Sequence, residues 1–138
     1  MSDKQSLWLE VLGGFLLIAL FTASGCSPSL KEIDVGMSDN GSQVQLEVGQ
    51  ILVVTLESNP TTGFQWAVAE LDEGILKQTG EAEFVPESEE PIPGMGGVEI
   101  FRFEAAAQGE VMLKMVYLRP WEEGVEPLEV FSISVVVK

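Results

Sequence analysis

The chain has 138 residues, 46% of them hydrophobic, and carries a formal net charge of −15 from 22 acidic and 7 basic side chains. That apolar fraction suffices for one buried core, while the acidic balance repels phosphate backbones and removes nucleic acid as a partner. Histidine is absent and Cys26 is the single cysteine; this excludes Ser-His-Asp and Cys-His catalysis, an intramolecular disulfide framework and a multi-cysteine metal site, so no metal or other cofactor is expected.

Val11 to Phe21 is almost unbroken apolar, with Lys4 upstream and the small-residue run Ala23-Ser24-Gly25-Cys26 downstream. This is the layout of a signal peptide, shorter than the roughly 20 residues of a bilayer-spanning helix. The small-residue run resembles a bacterial lipobox, in which the cysteine is acylated and becomes the mature amino terminus. Ala23 departs from the usual leucine, and Asp3 beside Lys4 thins the positive region, so a retained amino-terminal anchor helix is the other possibility. Residues 1–25 are therefore read as a lipoprotein signal peptide or membrane anchor. Cys26 is the lipidation candidate, and each buried methylene of an acyl chain adds about 0.8 kcal/mol of membrane affinity. In either case the folded part is exported and membrane-tethered, on the periplasmic or cell-surface side. Ser27 fits outer-membrane sorting.

Residues 26–41 are polar and turn-rich and read as a tether closing on Asp39-Asn40-Gly41. From Ser42 onward strand formers dominate and helical periodicity is missing. Val44, Leu46 and Val48 alternate with polar residues, which places them on the core face of a first strand. Ile51 to Leu56 predicts a more deeply buried strand that stops at Ser58-Asn59-Pro60. Phe64, Trp66 and Val68 share a face of the next, with Trp66 filling the space between two sheets. Leu76 to Phe84 predicts a fourth. Pro86 to Pro93 is acidic and proline-rich and reads as a surface loop; its carboxylates lack the ligand spacing of a calcium loop and are expected simply to be solvated. Val98 to Phe103, Val111 to Leu118 and Leu128 to Val137 complete about seven strands. The expected fold is all-β, an immunoglobulin-like sandwich over 42–138 preceded by the N-terminal signal or anchor helix, and a monomer.

Three segments fall between strands: Asn59-Pro60-Thr61-Thr62-Gly63, Gly94-Met95-Gly96-Gly97 and Arg119-Pro120-Trp121. Taken alone, the first is accounted for by a plain hairpin connection and the second by a flexible loop. Together and in this order they resemble the NPTTG, GxGG and RPW motifs of the chagasin family of cysteine protease inhibitors, over roughly Gln43 to Lys138. The aromatic Phe64 directly after the first motif fits as well. The resemblance implies reversible, non-covalent inhibition of papain-like cysteine proteases by three loops at one end of the sandwich. Thr61, Thr62 and Gly63 would enter the cleft beside the catalytic cysteine, and Gly94 to Gly97 would make main-chain contacts on the non-primed side. Trp121 would meet an aromatic on the primed side, with Arg119 shaping or charging its loop.

The residue chemistry suits a blocker. Pro60 fixes its own φ and restricts Asn59, Thr61 and Thr62 are stiff at χ1, and Gly63 is free to turn the chain back. Two other functions are weighed: a surface-displayed sandwich binding a different protein or a glycan, and a hydrolase using paired carboxylates. No spacing of Asp and Glu singles out such a pair.

Overall fold

The computed structural model describes residues 31–90 and 92–138. Cys26, the expected signal or anchor helix and the first part of the expected tether lie outside the described residues. Among the described residues there are nine strands: β1 Glu32–Val35, β2 Gln43–Leu46, β3 Ile51–Ser58, β4 Gln65–Glu70, β5 Leu76–Gln78, β6 Glu83–Pro86, β7 Gly97–Ala105, β8 Gly109–Leu118 and β9 Glu129–Val137. They form two sheets. One is ordered β1-β3-β7, with β5 and β6 both pairing the far side of β7, and the other is ordered β2-β9-β8-β4.

Alternation decides which side chains meet between the sheets. Leu52, Val54 and Leu56 of β3 and Phe101, Phe103 and Ala105 of β7 point inward from the first sheet. Leu113, Met115 and Tyr117 of β8 and Phe131, Ile133 and Val135 of β9 point inward from the second, and all are buried in one cluster. Trp66, only 4% exposed, closes that cluster at one end. The long antiparallel pairings run from Ile51↔Glu104 to Ser58↔Gly97 and from Gly109↔Val137 to Tyr117↔Glu129. Within each sheet they set neighbouring strands in register so that the inward residues line one face.

Several expectations are corrected. The stretch read as a tether contains β1, which runs parallel to β3 with Glu32 opposite Ile51 and Val35 opposite Val54. Val35 is buried in the core and Ile33 packs against it, so two apolar residues and a backbone ladder suffice despite Glu32 and Asp34. The single strand expected over 76–84 is two strands, β5 and β6, separated where Gly80 takes a φ of +75°. Val48 lies outside β2 and is exposed. The chain turns there because Gln50 Oε1 accepts from Glu47 N–H at 2.8 Å and Gly49 takes a φ of +94°. Pro86 ends β6 rather than opening a loop. It is tolerated because β6 pairs only β7 and its other edge needs no donor.

A chain beginning at Ser42 lacks β1, leaves one edge of β3 unpaired and uncovers the place of Val35. Its thermal midpoint, followed by circular dichroism, is expected to fall about 10 °C below that of a chain beginning at Lys31. Equal midpoints would mean that β1 contributes nothing to the core.

Candidate functional site

The β3–β4 connection is built from its own sequence. Pro60 opens a 3-10 turn over Pro60–Thr62, with Asn59 as its N-cap in an extended conformation, a position suited to both residues. Asn59 Oδ1 accepts from Thr61 N–H at 3.2 Å and from Thr61 Oγ1 at 2.6 Å, while Thr62 Oγ1 donates to Asn59 O at 2.6 Å. Both threonine hydroxyl protons are thus used inside the loop. Outward they present methyl groups, oxygen lone pairs and main chain. Gly63 leaves the turn with a φ of +81°, in the left-handed region that glycine enters without strain.

Below the turn stands a column of rings. Tyr117 stacks between Phe64, at 5.3 Å between centroids, and Trp66, at 5.0 Å. The guanidinium of Arg119 covers the other face of this group, 4.3 Å from the Phe64 centroid, a cation–π contact. Three of the four members also hold backbone. Tyr117 Oη accepts from Asn59 N–H at 2.9 Å, Trp66 Nε1 donates to Glu57 O at 2.9 Å, and Arg119 Nε donates to Thr62 O at 3.0 Å. Arg119 Nη1 also pairs with Glu122 Oε1 at 3.1 Å. Tyr117 and Glu122 are absent from the sequence-predicted site. The signal for Tyr117 is its place as the last inward residue of β8, where a phenol at the end of an apolar row needs a polar partner.

The other two segments adjoin the first. Asn59 Nδ2 donates to Gly94 O at 3.2 Å, and Gly94 has a φ of +80°. Gly96 O accepts from Glu87 N–H at 3.1 Å, and Met95 is half-buried. Gly97 is buried at the start of β7, where a Cβ would lie 2.2 Å from Val85 O. Its missing side chain therefore serves the packing of β6 on β7. Arg119 and Pro120 lead to Trp121, which is 67% exposed. The indole lies across Gly63 so closely that a Cβ there would meet its Cη2 at 2.2 Å. Asn59 to Gly63, Gly94 to Gly96 and Arg119 to Trp121 thus sit together at one end of the sandwich. Arg119 is the one cation among them, and Glu122, Glu123 and Glu126 follow it.

This sandwich with a bonded set of turns at one end belongs to the class of rigid binding domains: it offers surface and shape, with no nucleophile–base pair among the site residues. The chain belongs to the chagasin family of peptidase inhibitors, whose model matches residues 45–135. Chagasin of Trypanosoma cruzi is 30% identical over 104 residues, which cover 72% of this chain and 92% of the relative. The crystal structure of a cysteine protease inhibitor from Entamoeba histolytica aligns with a TM-score of 0.68 and 22% identity over 78% of this chain and 96% of the other. PbICP-C, solved in complex with falcipain-2, aligns with a TM-score of 0.52 and 23% identity over 78% of this chain and 99% of the other. At such identities the two structures speak to the fold alone. Family and relatives together make the chain a cysteine protease inhibitor and not an enzyme.

Replacing Tyr117 by Phe keeps the ring stack and removes the acceptor beneath Asn59. We expect a loss of about 1 kcal/mol in urea unfolding, together with faster amide hydrogen exchange at Asn59. Unchanged protection of that amide would remove the phenol from the support of the turn.

Proposed function

We propose that the chain inhibits papain-like cysteine proteases reversibly and without covalent chemistry, by lodging the turns at this end of the sandwich in the active-site cleft. The observation that carries the reading is the bonding of the first segment to each of the other two: Asn59 Nδ2 to Gly94 O at 3.2 Å and Arg119 Nε to Thr62 O at 3.0 Å. Segments tied to one another before they meet a partner lose little conformational freedom on docking, so more of the contact energy appears as affinity. PbICP-C, a relative in fold, was solved with falcipain-2 bound, which supports a papain-like target.

In this reading Thr61, Thr62 and Gly63 enter the cleft, held by Asn59 and Pro60. A segment wound into a 3-10 turn is a poor substitute for the extended strand that a cleft accepts from a substrate, which favours blockage over cleavage. Gly94, Met95 and Gly96 offer main chain and an adaptable thioether on one flank, while Gly97 fixes the base of that loop. Trp121 is the aromatic anchor on the other flank, with Pro120 and Arg119 setting its angle.

We further infer that residues 1–25 direct export and that Cys26, acylated, or the retained apolar segment ties a monomeric inhibitor to a membrane. Mass measurement of the membrane-extracted protein tests this: an acylated amino terminus at Cys26 or an intact residue 1 supports one of the two routes, and an unmodified soluble form sinks both.

Trp121→Ala is expected to raise the inhibition constant against papain by about 30-fold, the equivalent of about 2 kcal/mol for a truncated aromatic anchor. Its melting temperature should match that of the wild type, because the indole contributes little to the core. Equal losses of inhibition and of thermal stability would count against the anchor. Failure of the wild type to inhibit papain and cathepsin-like enzymes at micromolar concentration would shift the reading to a sandwich that binds another protein or a glycan.

A further inference from the structure

The β8–β9 connection, residues 119–128, does more than carry Trp121. Among the described residues the four most exposed large apolar side chains are Trp121 at 67%, Leu128 at 63%, Ile92 at 61% and Val125 at 60%, and three of them belong to this one connection. Single exposed apolar residues are ordinary, but a group of them beside a hollow marks a contact surface. Here there is such a hollow, a cavity of about 140 Å³ walled by Phe64, Leu118, Val125 and Leu128, with Glu122 and Glu126 at its rim. Its volume is close to that of an apolar cavity able to hold a benzene ring.

We propose that this hollow is a second anchoring pocket, which receives an apolar side chain of the inhibited protease that has a basic residue next to it. The inference rests on the inhibitor reading above and extends it. Continuity argues for the protease as occupant. Phe64 and Arg119 line the hollow, and the same Arg119 donates to Thr62 O at 3.0 Å in the first turn. A partner seated on Thr62 and Trp121 therefore has the hollow at its side. Charge argues for the neighbouring cation. Glu122 is already paired with Arg119, whereas Glu123 and Glu126 take part in neither of the two ion pairs found among the described residues. The same acidic rim disfavours a second copy of this chain, whose net charge is −15, because like charges brought together repel.

The test uses residues 27 to 138 of the chain, papain as the probe protease, and the variants Val125→Ser/Leu128→Ser and Glu126→Lys. Both altered apolar side chains are exposed, so the double variant should melt with the wild type. It is expected to raise the inhibition constant about tenfold, mainly through faster dissociation. Glu126→Lys should slow association and flatten its dependence on ionic strength. Wild-type inhibition with an undiminished double variant overturns the pocket and leaves the inhibitor reading standing. Absence of inhibition by the wild type overturns both. Concentration-dependent dimerisation of the wild type that the double variant abolishes reassigns the hollow to a second copy and likewise overturns the proposal.

Discussion

The stack of Arg119, Phe64, Tyr117 and Trp66 joins the surface turns to the core, and the arrangement of the candidate binding end follows from it. Its lower member, Trp66, is buried between the sheets, and its upper member, Arg119, touches the backbone of Thr62. Between them Phe64 and Tyr117 stack face to face, and the Tyr117 phenol accepts from Asn59 N–H at the start of the turn. Contacts of this kind are individually modest, about 0.5–1.5 kcal/mol for an aromatic pair beyond its buried area. In series they are stiff. The turn over Pro60–Thr62 cannot tilt without unstacking Phe64 from Tyr117 or breaking the bond between Asn59 N–H and the phenol.

The same logic explains why local bonds and tertiary bonds are combined in the first loop. The two threonine hydroxyls and the Asn59 side chain would hold the turn's shape in isolation, but they do not set its direction. Direction comes from Tyr117, Arg119 and the carbonyl of Gly94, which belong to other elements. Gly63 is where the two kinds of constraint meet: its left-handed backbone is a local need, and the indole resting on it makes its bare Cα a tertiary one as well.

How far the fold can be read from sequence depends on what makes each strand. Strands β3, β8 and β9 are eight to ten residues long and rich in apolar residues, continuously in β3 and on every second position of the inward rows of β8 and β9, so these strands are legible directly. Strand β1 is not, because Glu32 and Asp34 disguise a four-residue segment whose partner, Ile51–Val54, lies well downstream. Pairing at that distance leaves no local periodicity to detect. Val48 continues an alternation that the turn at Gly49 has already ended. At the candidate binding end the three motif segments are visible as turns between strands, yet the contacts that hold them are not: Asn59 and Tyr117 are 58 positions apart. Gly97 illustrates the converse, since the sequence shows a glycine in a loop and the structure shows one packed under Val85.

The parallel run of β1 along β3 also fixes where the polypeptide enters the domain. Glu32 is level with Ile51, the start of β3, whereas Asn59 follows its end. Eight residues of strand separate the two, a span of roughly 25 Å at the usual rise. The described chain thus begins at the base of the sandwich, and the candidate binding turns are at its crown. A hold on the chain from its amino-terminal side would grip it by the foot and leave the crown clear for the docking proposed above.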